Sequence, residues 1–244
     1  TITAATQTYG GGVTINADTN FNASGSLTFK NAVSGSKKIT LSGSGTKNMG
    51  NNINLSGAGS GIEQQAGSGS VIIDGSLSSP VQPKVTLTAP TQTYNGAVIV
   101  KTDAEFNAQT LLTFAPPASL TAQGRNIDFS VGNNSTVTLP TLTVADAVSP
   151  AVANSLVKIA SKTGNSFLTV TGITDIQPLM TNPGARGEIA FPKQEYHGEV
   201  KAENNTVFTA STSLLFAGTT SLSSTSPKKD VELKSSDVEI RGGV

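Results

Sequence analysis

The chain has 244 residues, of which 36% are hydrophobic, 5% aromatic and 13% charged, and Gly, Ser, Thr and Asn fill much of the rest, the hydroxyl-rich composition of a β protein. Sixteen basic residues balance sixteen acidic ones, so no net field draws the chain toward nucleic acid or anionic lipid. Cysteine is absent, which excludes disulfides, thiolate metal sites and cysteine nucleophiles.

The opening TITAATQ has neither a basic end nor an apolar stretch, so it is not a signal peptide, and no apolar run in the chain approaches a membrane span. It runs directly into TQTYGGGVTI at 6–15, inside what proves to be a repeat, and the chain is therefore expected to be a piece of a longer protein. The runs KKITLSGSG, NNINLSGAG and SVIIDGSL follow, each a brief alternation of apolar and polar residues closed by Gly or Ser. They predict short strands between turns.

At 91–100 the first phrase returns as TQTYNGAVIV. Residues 1–29 match 86–114 at 16 of 29 positions at an offset of 85, and 86–114 match 188–216 at 10 of 29 at an offset of 102. Self-similarity of this kind marks a repeat architecture. Eight positions are common to all three copies: Gln7, Tyr9, Gly11, Val13, Phe21, Ala23, Leu27 and Phe29; Gln92, Tyr94, Gly96, Val98, Phe106, Ala108, Leu112 and Phe114; Gln194, Tyr196, Gly198, Val200, Phe208, Ala210, Leu214 and Phe216. Within each cluster they step by two, the period at which strand side chains return to one face. An exposed aromatic platform would not need Val, Ala and Leu in the same phase, so these positions are expected to form an internal stack.

Between the second and third copies lie STVTLPTLTV, SPAVANSLVKIASKTG and SFLTVTG. In the middle one Ser149, Pro150 and Gly164 could bound a short helix, but Val157 and Ile159 alternate, which favours a strand. The third copy, PKQEYHGEVKAENN, keeps the Tyr-x-Gly-x-Val spacing without the flanking threonines. The C-terminal KKDVELKSSDVEIRGG places charges between Val231, Leu233, Val238 and Ile240, as a last strand with a charged outer face would.

Two all-β architectures accommodate these offsets: one parallel β-helix over 1–244, or tandem immunoglobulin-like β-sandwich domains. The matched block is confined to 29 residues and 30–85 and 115–187 drift, which favours the β-helix, since tandem domains would repeat every strand. With coils of roughly 20 to 25 residues, an offset of 85 is read as four coils and 102 as five, with one coil inserted. Ten to twelve such coils would make a rod roughly 50 to 60 Å long.

The block TQTYNGAVIVKTDAEFNAQTLLTF resembles the repeats of filamentous-haemagglutinin-like exoproteins, the secreted partners of bacterial two-partner secretion systems. That resemblance implies a right-handed parallel β-helix, export through an outer-membrane secretion partner, residence in the secreted fraction or on the bacterial cell surface, and adhesion to host cells, other bacteria or matrix through a glycan or host-surface receptor. Glycosylation occurs in that family, and Asn22, Asn54, Asn133, Asn134 and Asn204 each begin an Asn-x-Ser/Thr triplet. The expected function is an adhesive shaft, with a carbohydrate-binding or carbohydrate-cleaving β-helix as the alternative.

Catalytic chemistry on such a fold needs an unrepeated pair of acids or an acid with a basic partner. Asp18, Asp103 and Asn205 share one aligned position, which reads as a bend residue using its side chain as a cap. His197, the single histidine, aligns with Gly10 and Asn95 and reads as a turn residue. No enzyme, cofactor or metal is expected.

Overall fold

The computed structural model describes residues 1–132, 136–145, 156–161, 167–176, 186–203, 206–223 and 231–241. Among them are 29 strands and one short 3-10 turn at Gly75–Leu77. Every strand pairing is parallel and joins one turn of the chain to the next, as in Tyr94 on Phe114 or Phe106 on Phe129. The protein is a parallel β-helix with three faces.

Short strands such as Thr91–Tyr94 and Leu111–Phe114 form the first face, and Val98–Val100 and Leu120–Gln123 the second. The long strands Ile2–Tyr9 and Thr19–Phe29 each bend across both, which joins them into one 19-stranded sheet. The third face is a separate ten-stranded sheet running from Val13–Ile15 to Val231–Ser235. Ten rungs at about 4.8 Å give a stack of roughly 45 Å, just under the expected length. Val157 and Ile159 lie in the strand Leu156–Ser161, while Ser149, Pro150 and Gly164 are outside the described residues.

Alternation sorts each strand. In Asp103–Ala108 residues Ala104, Phe106 and Ala108 are buried and the intervening ones half-exposed, so inward side chains stack into columns along the axis. Parallel strands of three to six residues cover one face and stop where Gly, Asn or Ser allows a corner.

The register corrects the reading of the two offsets. From Tyr94 the first-face column passes through Phe114, Leu139 and Val170 to Tyr196, so 102 residues make four turns and not five. Tyr9, by contrast, stands on the second face, in the column Phe29, Met49, Ile73 and Val100. The offset of 85 therefore falls one face short of four turns, and no whole coil was inserted. The first copy is rotated by one face relative to the other two.

Candidate binding surface

The shared residues of each copy build the same interior device. In the second copy Gln92 donates from Nε2 to the carbonyl oxygens of Leu87 (2.7 Å) and Asn107 (2.9 Å), and its Oε1 accepts from the Tyr94 hydroxyl at 2.9 Å. Gln194 does this with Ile189, Thr209 and Tyr196, and Gln7 with Ile2, Asn22 and Tyr9. One amide thus ties the carbonyl of its own coil to that of the next and satisfies a buried phenol. Burial of the Tyr94 and Tyr196 hydroxyls pushes both well above the ordinary phenol range.

Around each tyrosine the rings keep one arrangement. Tyr94 stacks on Phe114 at 5.0 Å and meets Phe106 edge-on at 5.7 Å; Tyr9 with Phe29 and Phe21, and Tyr196 with Phe216 and Phe208, repeat it at 5.2 to 5.5 Å. Phe21, Leu27, Phe29, Val98, Leu112, Val200 and Leu214 are buried with them, while Tyr9 and Val13, on the first rung, are partly covered. The repeated Gln, Tyr, Val, Phe, Ala and Leu side chains face inward, and the repeated glycines Gly11, Gly96 and Gly198 lie at corners. The trio spans one turn and carries its own glutamine, so it fits across any two adjacent faces.

Two interior polar features were not anticipated. Lys47 occupies an inward position between Leu27 and Val71, fully buried, with its ammonium held by the carbonyls of Gly43 and Gly45. Burial lowers its pKa to about 8. Gln64 lies between Leu41 and Tyr94 and donates to Gly69 at 2.8 Å. A lysine in the phase of aliphatic residues is the sequence signal that would have revealed the first.

Asp18 caps the backbone N–H of Lys38 on the next coil at 3.0 Å, and Asp103 that of Asn126 at 2.9 Å; Asn205 lies outside the described residues. Of the glycosylation triplets, Asn54 is exposed and Asn22 half-buried, while Asn133, Asn134 and Asn204 lie outside the described residues. His197 is at an exposed corner, its backbone N–H donating to Val170 and its Nε2 3.3 Å from the Glu195 carboxylate.

Ion pairs line the outside of the third face, where Lys84 meets Glu105 and Asp128, and the first face carries an outward aromatic ring. Thr93, Thr113, Thr138 and Thr169 form an outward column that continues through Glu195 to Leu215 and Glu239. Beside it runs the column Leu111, Thr136, Phe167 and Lys193. Of nine phenylalanines, eight are buried and Phe167 alone points outward. The Lys193 ammonium stands 5.8 Å from the centre of its ring and 2.7 Å from Glu195. The hydrogen bond from Lys193, assisted by His197, holds the Glu195 carboxyl below its ordinary range against the opposing effect of burial. A shallow groove of about 120 Å³ is lined by Thr136, Phe167, Leu168, Thr169, Lys193 and Glu195. A second, of about 160 Å³, lies at the corner formed by Leu55, Ser56, Thr88, Ala89, Pro90, Asn107 and Gln109.

Among the described residues no cluster of His, Asp and Glu is suited to a metal ion, and no helix is long and apolar enough to cross a membrane. The fold defines the class, a β-solenoid repeat protein. Neither a family model nor a curated protein nor a solved structure matches the chain.

Proposed function

We propose that the chain is a structural and adhesive shaft segment of a secreted bacterial surface adhesin, supporting attachment to host cells, other bacteria or matrix. The observation that carries the reading is the inward placement of the shared Gln, Tyr, Val, Phe, Ala and Leu side chains, with the shared glycines at corners between strands. A sequence phrase spent on the interior and on the corners that close it is the signature of a scaffold, with each coil contacting only its neighbours. Outward positions are then free to vary. The resemblance of the Gln-x-Tyr-x-Gly-x-Val phrase to exported haemagglutinin-like repeats supplies the adhesive and secretory half, including an outer-membrane partner for the parent protein. We assign it no catalytic role, because the aligned aspartates cap backbone N–H groups of the next coil.

Beads coated with the purified chain test the adhesive half against epithelial cells, bacterial cells and matrix-coated wells. Retention on at least one, above albumin-coated beads, is expected. Retention on none of the three overturns it.

A further inference from the structure

The third copy departs from the others in a spatially ordered way. Its inward residues Gln194, Tyr196 and Val200 are retained, whereas outward Lys193 and Glu195 replace the threonines at 91 and 93, and His197 replaces Asn95. The change brings a cation, a carboxylate and an imidazole onto one rung, directly above Phe167 and Thr169. Interior packing does not require this: Thr91 and Thr93 occupy the same places in the second copy with the same core beneath. Nor does a solenoid that buries every other phenylalanine need Phe167 outside. Two adjacent rungs have thus acquired an outward aromatic ring and a hydrogen-bonding fringe.

We infer that this groove binds a neutral, extended glycan lying along the solenoid axis, an inference that takes the adhesive reading as its starting point and names its ligand. A pyranose ring has an apolar face of C–H groups that stacks on an aromatic ring, and Phe167 is the ring available for it. Hydroxyl groups around the sugar need donors and acceptors together. Thr136 and Thr169 supply both, Lys193 donates, and Glu195, held ionised, accepts. Lys193 and Glu195 neutralise each other at 2.7 Å, so the groove presents no net charge to attract an ionic polymer. Outward positions recur every 4.8 Å or so along the axis, close to the length of one sugar in an extended β-linked chain. A linear glycan on this face would meet one rung per sugar.

The test uses the purified chain with cellohexaose, xylohexaose and mannohexaose, and a heparin-derived hexasaccharide as the anionic arm, followed by calorimetry and by amide chemical shifts. Binding of at least one neutral hexasaccharide is expected, with shifts confined to residues 136–139, 167–170 and 193–197. Phe167→Ala should weaken it about tenfold or more and Glu195→Gln about threefold or more; Thr169→Val, which keeps the strand shape, provides a check if Phe167→Ala disturbs folding. No binding of any neutral probe at millimolar concentration overturns the inference, as does binding that all three substitutions leave unchanged, or preference for the anionic probe. Small-angle scattering on the same samples separates the two readings: an intact rod without glycan binding removes only the ligand, and loss of the rod removes the shaft.

Discussion

Four groups meet at Gln92 inside the stack: the carbonyls of Leu87 and Asn107, the Tyr94 phenol and its own buried amide. Gln92→Leu should cost about 2 to 5 kcal/mol, because it strands three of them. Tyr94→Phe should cost about 1 to 2 kcal/mol, and the double variant less than the sum; urea denaturation measures all three. Lys47 makes a pH-dependent prediction. Its folded pKa of about 8 lies below the ordinary 10.5, so between those values the unfolded chain binds more protons and stability rises with pH. Tyr94 and Tyr196 act oppositely: their folded pKa values lie above the ordinary 10.0, so their contribution is complete below it and is lost as the unfolded chain ionises above it. Stability should therefore climb by about 1 kcal/mol from pH 8 to about 9.5 and fall beyond pH 10 or so. In Lys47→Met the climb should vanish while the fall persists.

Strands and corners divide the work differently. A strand is specified by alternation, but a corner is specified by how closely successive coils approach. At the corner after the third tyrosine, a Cβ on Gly198 would lie 2.0 Å from the carbonyl oxygen of Gly172, and one on Gly218 would lie 2.1 Å from that of Gly198. Gly198→Ala is expected to destabilise the protein by about 3 kcal/mol or more, since backbone must move to admit the methyl. Gly10, with open space around its Cβ position, should accept alanine within about 0.5 kcal/mol. Thermal melts of the two variants compare them directly. Glu232 with Lys234 (3.2 Å) and Glu239 with Arg241 (2.6 Å) pair two residues apart along the outward side of their strands, which alternation brings to one face.

Across the whole molecule each coil is stabilised mainly by the coils above and below it. Phe106 touches Tyr94, Phe114 and Phe129 at 5.6 to 5.8 Å between ring centres, so one mid-stack ring couples two successive coils. Phe106→Ala should cost about 3 to 5 kcal/mol and expose amides on both neighbouring coils to exchange. Ile240→Ala, at a half-exposed position on the end of its column, should cost about 0.5 kcal/mol or less and accelerate exchange only in the last rung. Hydrogen exchange with denaturant titration reads both outcomes. The central network was only partly legible beforehand. Gln92 was visible as a repeated residue, but its role depends on the carbonyl of Asn107, fifteen positions away and one coil on. By contrast, the outward placement of Phe167 was legible in SFLTVTG, because it shares its phase with Thr169 and Thr171 while Leu168 and Val170 share the other.

The steps of two in Gln-x-Tyr-x-Gly-x-Val and Leu-x-Phe were enough, by themselves, to determine a strand-built repeat with one apolar side, since side-chain direction in a strand is a local property of the backbone. Which face each strand occupies was decided only in three dimensions. A turn takes 20 residues from Tyr94 to Phe114 but 31 from Leu139 to Val170, and these differences accumulate along the chain. The register is consequently set by hydrogen bonds between coils and by close approach at the corners. Those contacts rotate the first copy by a face, and they bring Phe167 beneath Lys193 and Glu195.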